Sequence, residues 1–185
     1  MLNNEILSHF LLTVFYFFLI TVFRGKFDYS LIFLWLGAFL GIFLLDLDHF
    51  IYWFFSHPEK EDSKEAKRIL KEKGVGGCFE LISLLKKTHQ DHRSLIFHTA
   101  TFQIILLVLA FFVISSGGSL LASSLVISCN LHLLKDEWQD YFKNKQNLTD
   151  WLFWQIKGFS KERYLSLYLI SVSLIFIVLT LFLSF

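Results

Sequence analysis

The chain has 185 residues, of which 55% are hydrophobic and 23 are phenylalanine, an apolar share above that of an ordinary soluble domain of this size. Its 17 basic and 16 acidic residues nearly cancel, and no basic stripe with spaced aromatic residues predicts nucleic-acid binding. The two cysteines, Cys78 and Cys129, form neither a CxxC pair nor a disulfide framework. This composition predicts a protein of the lipid bilayer.

Five stretches are apolar enough to cross a bilayer as helices, because a hydrocarbon core requires about 20 such residues. The first has no basic region or small-residue cleavage site before it, which favours a retained anchor over a signal peptide. The fourth is diluted by serine, asparagine and histidine, so we expect it inside the bundle, away from lipid. The five predicted spans cover residues 5–23, 31–55, 94–114, 119–135 and 164–185.

Two polar segments separate the spans. Residues 56–93 form a charged insert, in which the lysine- and glutamate-rich piece from Pro58 to Lys73 predicts a solvated helix, followed by a turn at 74–77. Residues 136–163 mix tryptophan and tyrosine with charged residues, which is typical of an amphipathic segment in the membrane interface. The predicted fold is therefore a single all-α integral membrane domain with about five transmembrane helices, a charged helix and an interfacial segment.

The lysine and arginine residues are distributed unevenly between the two sides. If the chain crosses at each span, fifteen of the 17 lie on the side shared by the N-terminus, the insert and residues 135–163. Only Arg24 and Lys26 lie on the other side. The positive-inside rule then places the N-terminus in the cytoplasm and the protein, with several passes, in the inner or plasma membrane.

The end of the second span carries the first group of ionisable residues, Asp46-Leu47-Asp48-His49. Such groups are costly within a bilayer unless a metal or a paired partner offsets their burial. Asp46 and His49 share a face of a helix, whereas Asp48 points away unless the helix ends there. The alternative is that Asp48 and His49 only reach the interfacial water.

The start of the third span contributes His89, His92 and His98, with Arg93 beside the second of them. His92 and His98 are six residues apart and do not share a face of one continuous helix, so we expect one of them in a loop. Neutral imidazoles suit a borderline metal, and Arg93 would suit a phosphate group. His89 alone is better explained as a solvated loop residue.

The end of the fourth span places His132 and Asp136 at i,i+4, a spacing that suits metal chelation, although a helix cap or a salt bridge explains it equally well. His9, in the first span, is the last candidate, and alone it is better explained as a hydrogen-bonded histidine within the bundle. All of these motifs fall at helix ends that the lysine distribution assigns to one side. They therefore predict one site.

The donors in this predicted site are nitrogen and carboxylate groups without a thiolate, which favours Zn²⁺, with Mn²⁺ or Fe²⁺ as alternatives, over copper(I). The carboxylates are numerous enough for two ions. A bound divalent ion activates water and polarises a phosphoryl or acyl oxygen, so hydrolysis is the favoured chemistry. Arg93 is a candidate phosphate contact, and Asp48 or Asp91 a candidate base. The predicted metal ligands are His9, Asp46, His49, His92, His98, His132 and Asp136.

These motifs resemble those of the YdjM-like, LexA-regulated family of inner-membrane metal-dependent hydrolases, whose members show an early histidine, a DxDH element, an HR…HS element and an HxxxD element in this order. The matches here are His9, Asp46 to His49, His92-Arg93 with His98-Thr99, and His132 to Asp136. The resemblance implies a membrane-bound hydrolase. Through the family's distant similarity to zinc-dependent phospholipases C and single-strand nucleases, it also implies an all-helical zinc phosphoesterase.

The chain departs from the family pattern at Leu45, Ser94 and Phe97, where proline, glycine and threonine are usual. The gap between His92 and His98 is one residue longer than in the common form, so the turn between them is expected to be built differently. Which of the two binds metal stays open. The charged piece 59–73 and the fifth span lie outside the shared core.

Two other classes of function stay open. A transporter or ion-conducting bundle would use Asp46, His49, His98 and His132 as a relay, but it would need polar groups that continue across the midplane, and spans one and five offer essentially none. A non-catalytic metal sensor or scaffold would use the same ligands as the hydrolase. The partners expected for the hydrolase are the bilayer and a phospholipid or other phosphoester substrate.

Overall fold

The computed structural model describes residues 2–88, 91–117, 119–157 and 161–184, and every regular element within these ranges is a helix. Two short turns of other helix types also occur, a π-helical turn at Tyr52–Ser56 and a 3₁₀ turn at Gly74–Gly77. In chain order the α-helices of the described ranges are α1 (Leu2–Arg24), α2 (Ser30–Leu44), α3 (Leu47–Ile51), α4 (Glu61–Lys73), α5 (Cys78–Thr88), α6 (Ala100–Ser115), α7 (Leu120–Lys143), α8 (Lys145–Leu152) and α9 (Lys161–Ser184).

Three helical segments in the described ranges are long and apolar enough to cross a membrane, namely Leu7–Arg24, Ser30–Ser56 and Glu162–Ser184. Helix α6 is apolar but shorter. Only 22% to 33% of the residues in the three windows are buried within the protein, so their outer faces expose large apolar side chains. Water disfavours apolar surfaces of this extent, whereas lipid accepts them. The all-helical fold is confirmed, and the apolar helices are consistent with a membrane protein.

Helix α7 lies inside the bundle, as its polar composition predicts. Its serines, Asn130 and His132 are buried although they belong to an otherwise apolar helix. Buried apolar side chains from α1, α2, α6 and α9 pack in the same core as those of α7. The neighbouring helices therefore shield the polar residues of α7 from lipid.

Two glycines allow α2 to lie directly against α7. A Cβ atom on Gly37 would lie 2.1 Å from Ser124 Oγ, and one on Gly41 would lie 2.4 Å from Ser128 Cβ. Ser128 Oγ also donates a hydrogen bond to the Ala38 carbonyl at 2.7 Å. Small residues of this kind let the backbones of membrane helices approach closely. The C-terminal end of α2 is thereby held beside the polar end of α7.

The second predicted span is interrupted where its ionisable residues occur, between α2 and α3. The backbone N–H groups of Asp48 and His49 donate to the carbonyls of Leu45 and Asp46, three residues earlier, at 2.9 and 3.2 Å. Such three-residue hydrogen bonds wind a helix more tightly than α-helical ones. The side chains therefore leave the α-helical register, and Asp46 faces α7 while His49 faces residues 91–99.

Two further boundaries differ from those predicted. Helix α6 begins at Ala100, later than expected, because Thr99 caps it and accepts a hydrogen bond from the Phe102 N–H at 3.2 Å. Both His92 and His98 consequently lie in the non-helical segment before α6, where we expected only one of them. Helix α7 runs on to Lys143, past the predicted end of the fourth span and into the predicted interfacial segment.

The charged insert folds as α4, the 3₁₀ turn and α5. The predicted charged helix and the glycine turn are confirmed, whereas α5 was not predicted. Lys73 Nζ lies 2.7 Å from Glu80 Oε1 and links α4 to α5. The apolar faces of these helices pack on Trp53 through Ala66 and Leu81. The insert thus docks against the end of the second span.

Candidate metal centre

Five of the predicted ligands converge in space, and we call them the central cluster: His9, Asp46, His98, His132 and Asp136. They form two groups, His9 with His132 and Asp136, and Asp46 with His98 and His132, and within each group the ligand atoms lie within 4.8 Å of one another. The residues come from α1, the turn between α2 and α3, the segment before α6, and α7. His132 belongs to both groups and is therefore the centre of the arrangement.

The imidazole of His132 is oriented by a backbone contact. Its Nδ1 lies 3.0 Å from the Ile42 carbonyl oxygen, which only accepts, so Nδ1 carries the hydrogen and donates it. The lone pair of the neutral ring is then on Nε2, which lies 3.2 Å from Asp136 Oδ2 and 3.7 Å from Asp46 Oδ1. Metal-binding histidines are commonly held in this way, with the second nitrogen donating to a carbonyl.

The separations within the central cluster fit a divalent ion. Tetrahedral bonds of the length usual for zinc place neighbouring nitrogen and oxygen ligands about 3.3–3.6 Å apart, and the two distances from His132 Nε2 bracket that range. The two carboxylates would balance the charge of a divalent ion, which limits the cost of burying it. The histidine and aspartate groups can therefore hold a metal ion.

Lys135, which was not predicted as part of the site, contacts both His9 and Asp136. Lys135 Nζ lies 2.9 Å from His9 Nε2 and 3.4 Å from Asp136 Oδ1, and His9 Nε2 lies 3.0 Å from the same carboxylate oxygen. A cation already occupies this side of Asp136, and like charges repel. The geometry therefore favours a metal position in the group of Asp46, His98 and His132, with Asp136 and His9 beside it.

Asp48 anchors the loop that carries His98. Its Oδ2 accepts hydrogen bonds from the backbone N–H groups of Phe97 at 2.5 Å and His98 at 3.3 Å, and His98 Nδ1 lies 3.5 Å away. Asp48 is 1% exposed, and its Oδ1 has no hydrogen-bond partner within the described ranges. A buried carboxylate oxygen without a partner is costly.

His49 and His92 form a separate group with Asp62, which we call the insert cluster. His49 Nδ1 lies 2.7 Å from His92 Nδ1, and His92 Nε2 lies 2.7 Å from Asp62 Oδ2. Trp53 Nε1 donates to the same Asp62 oxygen at 2.9 Å. Burial alone would raise the pKa of Asp62, but the hydrogen bonds from His92 and Trp53 outweigh burial and hold that pKa below its ordinary value.

The two clusters adjoin each other at His98. The ring centroids of His49 and His98 are 5.9 Å apart, and those of His98 and His132 are also 5.9 Å apart. All seven predicted metal ligands therefore lie in one continuous polar region. Only five of them belong to the groups whose ligand atoms are mutually close enough for an ion, among the residues that the structure describes.

Arg93, the predicted phosphate contact, lies outside both clusters. Its side chain is 61% exposed, and its Nη1 lies 3.6 Å from Asp150 Oδ2 on α8. Asp91, the second candidate base, is exposed. His89 lies outside the described residues. Arg93 and Asp91 are thus exposed at the edge of the site, whereas His92 and His98 lie within the clusters.

A further buried polar chain, also missed from the sequence, connects α6, α7 and α9. Gln103 Nε2 donates to Glu137 Oε2 at 3.0 Å, and the Tyr168 hydroxyl donates to Gln103 Oε1. Glu137 is fully buried although it is next to Asp136. The unexpected length of α7 is the reason, since it carries Glu137 into the bundle instead of into the interface. The polar composition of the fourth span was the sequence signal that could have indicated the burial of polar residues along α7.

No family model, curated protein or solved structure matches the chain.

Proposed function

We propose that the protein is a membrane-embedded, metal-dependent hydrolase that acts on a phosphoester at the cytoplasmic face of the inner or plasma membrane. One observation carries this proposal: His132 presents Nε2 at metal-ligand spacing from two carboxylates, while the Ile42 carbonyl fixes its other nitrogen. A histidine that only stabilised the bundle would need one acidic partner at most. The likeness of the motifs to the YdjM-like hydrolases points to the same chemistry.

Asp46, His98 and His132 would hold the ion, and Asp136 would lie beside it. Donors of nitrogen and oxygen without sulfur favour Zn²⁺, and Mn²⁺ or Fe²⁺ would also suit them. Such an ion would supply Lewis acidity towards a phosphoryl oxygen and would lower the pKa of a coordinated water. Zinc is the first choice because histidine with carboxylate is a common ligand set of catalytic zinc sites.

The protein itself would contribute access and positive charge. The Asp46 side chain is 41% exposed, so the centre opens towards solvent at this residue. Lys135, which contacts Asp136 and His9, would attract an anionic substrate once the ion neutralises the carboxylates. Arg93, exposed and next to His92 in the chain, would contact a phosphate group at the rim. These features favour a phosphoester over a neutral ester.

The topology belongs to the same proposal. Helices α6 and α7 would cross the membrane together with the three longer apolar segments, which gives five spans with α7 shielded from lipid. The excess of lysine and arginine around the insert and after α7 supports a cytoplasmic N-terminus. Both clusters would then face the cytoplasm, where a lipid headgroup or a soluble phosphoester could reach them.

Metal analysis is the first test. The purified protein would be reconstituted with Zn²⁺ or Mn²⁺ and compared with Asp46→Ala and His132→Ala, with His57→Gln as the matched control, because His57 pairs with Glu59 outside both clusters. We expect wild type and the control to retain metal after dialysis and both cluster variants to lose most of it. Equal and negligible metal in all four proteins would refute the centre.

Hydrolysis is tested separately on the loaded protein with a panel of phosphomonoesters, phosphodiesters and phospholipids. Turnover that falls at least a hundredfold in His132→Ala and is unchanged in His57→Gln would support the enzyme. Tight metal binding without turnover on any substrate would favour the alternative of a non-catalytic metal-binding membrane protein.

Cysteine labelling tests the topology. The exposed Cys78 would first be replaced by serine, and single cysteines would be introduced at Lys64 in the insert and at Ser116, between α6 and α7. Ser116 is preferable to Gly117, whose φ of 64° is unfavourable for cysteine. An impermeant thiol reagent should label the two positions from opposite sides, and labelling from one side would contradict the five-span topology.

A further inference from the structure

The charged insert exposes large apolar side chains at α5 and at the turn before it. Helix α5 packs on Trp53 through Leu81, whereas its residues Phe79 and Ile82 are 86% and 42% exposed. Val75, in the 3₁₀ turn, is 87% exposed. Val75 and Phe79 are the two most exposed large apolar residues in the part of the chain that the structure describes. We call Val75, Phe79 and Ile82 the apolar patch.

The insert that carries this patch is held at the end of an apolar segment. Ser30–Ser56 is long and apolar enough to cross a membrane, and its 27 residues exceed the about 20 that a hydrocarbon core requires. The ends of such a segment would lie among the lipid headgroups. Trp53 is close to one of these ends, and the insert packs on it through Ala66 and Leu81. Helix α5 is therefore held at the level of the headgroups.

Basic residues flank the apolar patch along the chain. Residues 71–88 contain four lysines and two glutamates, and one opposite pair, Lys73 with Glu80, is joined at 2.7 Å. Lys71 precedes the patch and Lys87 follows it, and both are exposed. Apolar side chains with lysines beside them are typical of helices that lie in the interface of an anionic membrane. The charges therefore favour lipid with negative headgroups.

Water and a second copy of the chain suit the patch less well. Water disfavours clustered apolar side chains that are exposed to this extent. A contact between two copies through the same patch would be symmetric, so the lysines of one copy would approach those of the other. Like charges repel. An anionic lipid surface has the complementary charge and is already present beside the segment on which the insert packs.

We propose that the apolar patch enters the headgroup region of the membrane that the chain itself crosses, where Lys71 and Lys87 contact anionic headgroups. The insert would then be attached on two sides, through Leu81 to the end of the second span and through Phe79 to lipid. This contact rests on the proposed crossing of Ser30–Ser56. It needs neither a metal ion nor a particular side of the membrane.

A nitroxide spin label on the native Cys78 reports on the patch without altering it. Cys78 is exposed and adjacent to Phe79, whereas Cys129 is buried, so a thiol reagent would modify Cys78 alone. The labelled full-length protein would be placed, one copy in each, in nanodiscs of phosphatidylcholine with phosphatidylglycerol. Collisions of the label with oxygen, which concentrates in lipid, and with a water-soluble nickel chelate would then be measured.

Two labels in a Cys78→Ser background are the references. Leu40→Cys, at a 47% exposed position of α2, reports on lipid, and Lys64→Cys, at an exposed position of α4, reports on water. We expect the ratio of oxygen to nickel collisions at Cys78 to lie well above that at Lys64 and below that at Leu40. A ratio at Cys78 equal to that at Lys64 would overturn the contact. Few collisions with either reagent would also overturn it, because protein would then cover the patch.

The label at Leu40 separates this contact from the proposed function. A label there that collides freely with the nickel chelate would refute the crossing of Ser30–Ser56, and the contact would fail with it. A lipid-exposed label at Leu40 together with a water-exposed label at Cys78 would refute the contact alone and leave the proposed topology intact.

Substitutions within the patch should release it from lipid. The double variant Val75→Gln with Phe79→Gln changes two exposed positions and no core contact, and it should raise the nickel collisions of the Cys78 label severalfold. Phe142→Gln is the matched control, since Phe142 is 77% exposed but lies at the end of α7. It should change nothing. Equal collisions in wild type and in the double variant would contradict the insertion of these side chains.

The lysines are tested by changing the lipid. Lys71→Gln with Lys87→Gln should raise the nickel collisions of the Cys78 label in nanodiscs that contain phosphatidylglycerol, because an anionic surface attracts lysines close to it. The same variant should behave like wild type in phosphatidylcholine alone. If wild type showed equal collisions in both kinds of nanodisc, the contact of the lysines with anionic headgroups would be refuted.

Discussion

The central cluster and the insert cluster use similar residues but are assembled differently. The central cluster takes three of its five residues from helices of the bundle and contains two carboxylates, and the cation of Lys135 lies beside it. The insert cluster joins two histidines to one carboxylate of α4, and aromatic rings enclose it. Close helix packing therefore determines the first arrangement, whereas docking of a polar segment determines the second. Substitutions should affect the two clusters separately.

Trp53→Ala should have the largest effect, and it should act on the insert cluster. Trp53 is fully buried and packs against Ala66 and Leu81 of the insert, and removal of a buried tryptophan side chain costs about 3–5 kcal/mol. We expect α4 and α5 to undock, so that trypsin cleaves the insert faster in detergent or nanodiscs. The metal bound by Asp46, His98 and His132 should be retained although the insert is cleaved.

Phe55→Ala is the control for this substitution, since Phe55 is close in the chain but 79% exposed. It should leave the rate of cleavage unchanged. Equally fast cleavage of both variants would show that Trp53 does not hold the insert in place. Loss of all metal from Trp53→Ala would show that the two clusters form one cooperative unit.

Gly41→Ala should have the next largest effect, and it should act on the central cluster. The new methyl group would meet Ser128 Cβ at 2.4 Å, so α2 must move away from α7 and carry Asp46 away from His132. Overpacking of this kind costs about 1–3 kcal/mol. We expect a lower thermal unfolding midpoint and weaker Zn²⁺ binding, with the contact between His92 and Asp62 intact.

The matched control is Gly76→Ala, because a Cβ at Gly76 meets no atom within 4 Å in the described structure. Normal Zn²⁺ binding by Gly41→Ala would show that the spacing of α2 and α7 does not control the separation between Asp46 and His132.

Lys135→Met should have the smallest effect and should refine the position of the ion within the central cluster. Removing the ammonium group leaves Asp136 without a competing cation, so Zn²⁺ affinity should rise, by less than about fivefold because the pair is partly exposed. Turnover of a phosphoester should fall at the same time, because the substrate loses a positive contact. Lys143→Met, at the end of the same helix, should change neither quantity. A fall in Zn²⁺ affinity would place Lys135 in support of the ligands.

One pair of the central cluster could be predicted because local spacing determines it. His132 and Asp136 are one helical turn apart, and their 3.2 Å contact follows from that spacing alone. The prediction that Asp46 and His49 share a helix face was wrong. The three-residue hydrogen bonds between α2 and α3 direct the two side chains to different partners. The tighter winding of those few residues has no sequence signal comparable to a proline or a glycine.

The residues that were missed share a physical cause. Asp62 belongs to a charged helix, where most carboxylates are solvated, and only its position beside Trp53 and His92 distinguishes it from its neighbours. Lys135 and Glu137 flank Asp136 on a helix that was expected to end at residue 135. Because α7 continues within the bundle, side chains that would be solvated in an interfacial segment become partners in the protein.

Three properties could be predicted from the amino-acid sequence alone: an all-helical chain suited to a membrane, the charged helix of the insert, and the residue types of the site. These properties depend on local composition and on spacing within a single helix, which can be evaluated without any knowledge of tertiary contacts. The pairing of Asp46 with His132 and of His49 with His92 depends instead on tertiary contacts, as does the presence of Asp62 and Lys135 in the same region. Partners from distant parts of the chain are selected by helix packing and by docking of the insert, and those depend on the whole fold.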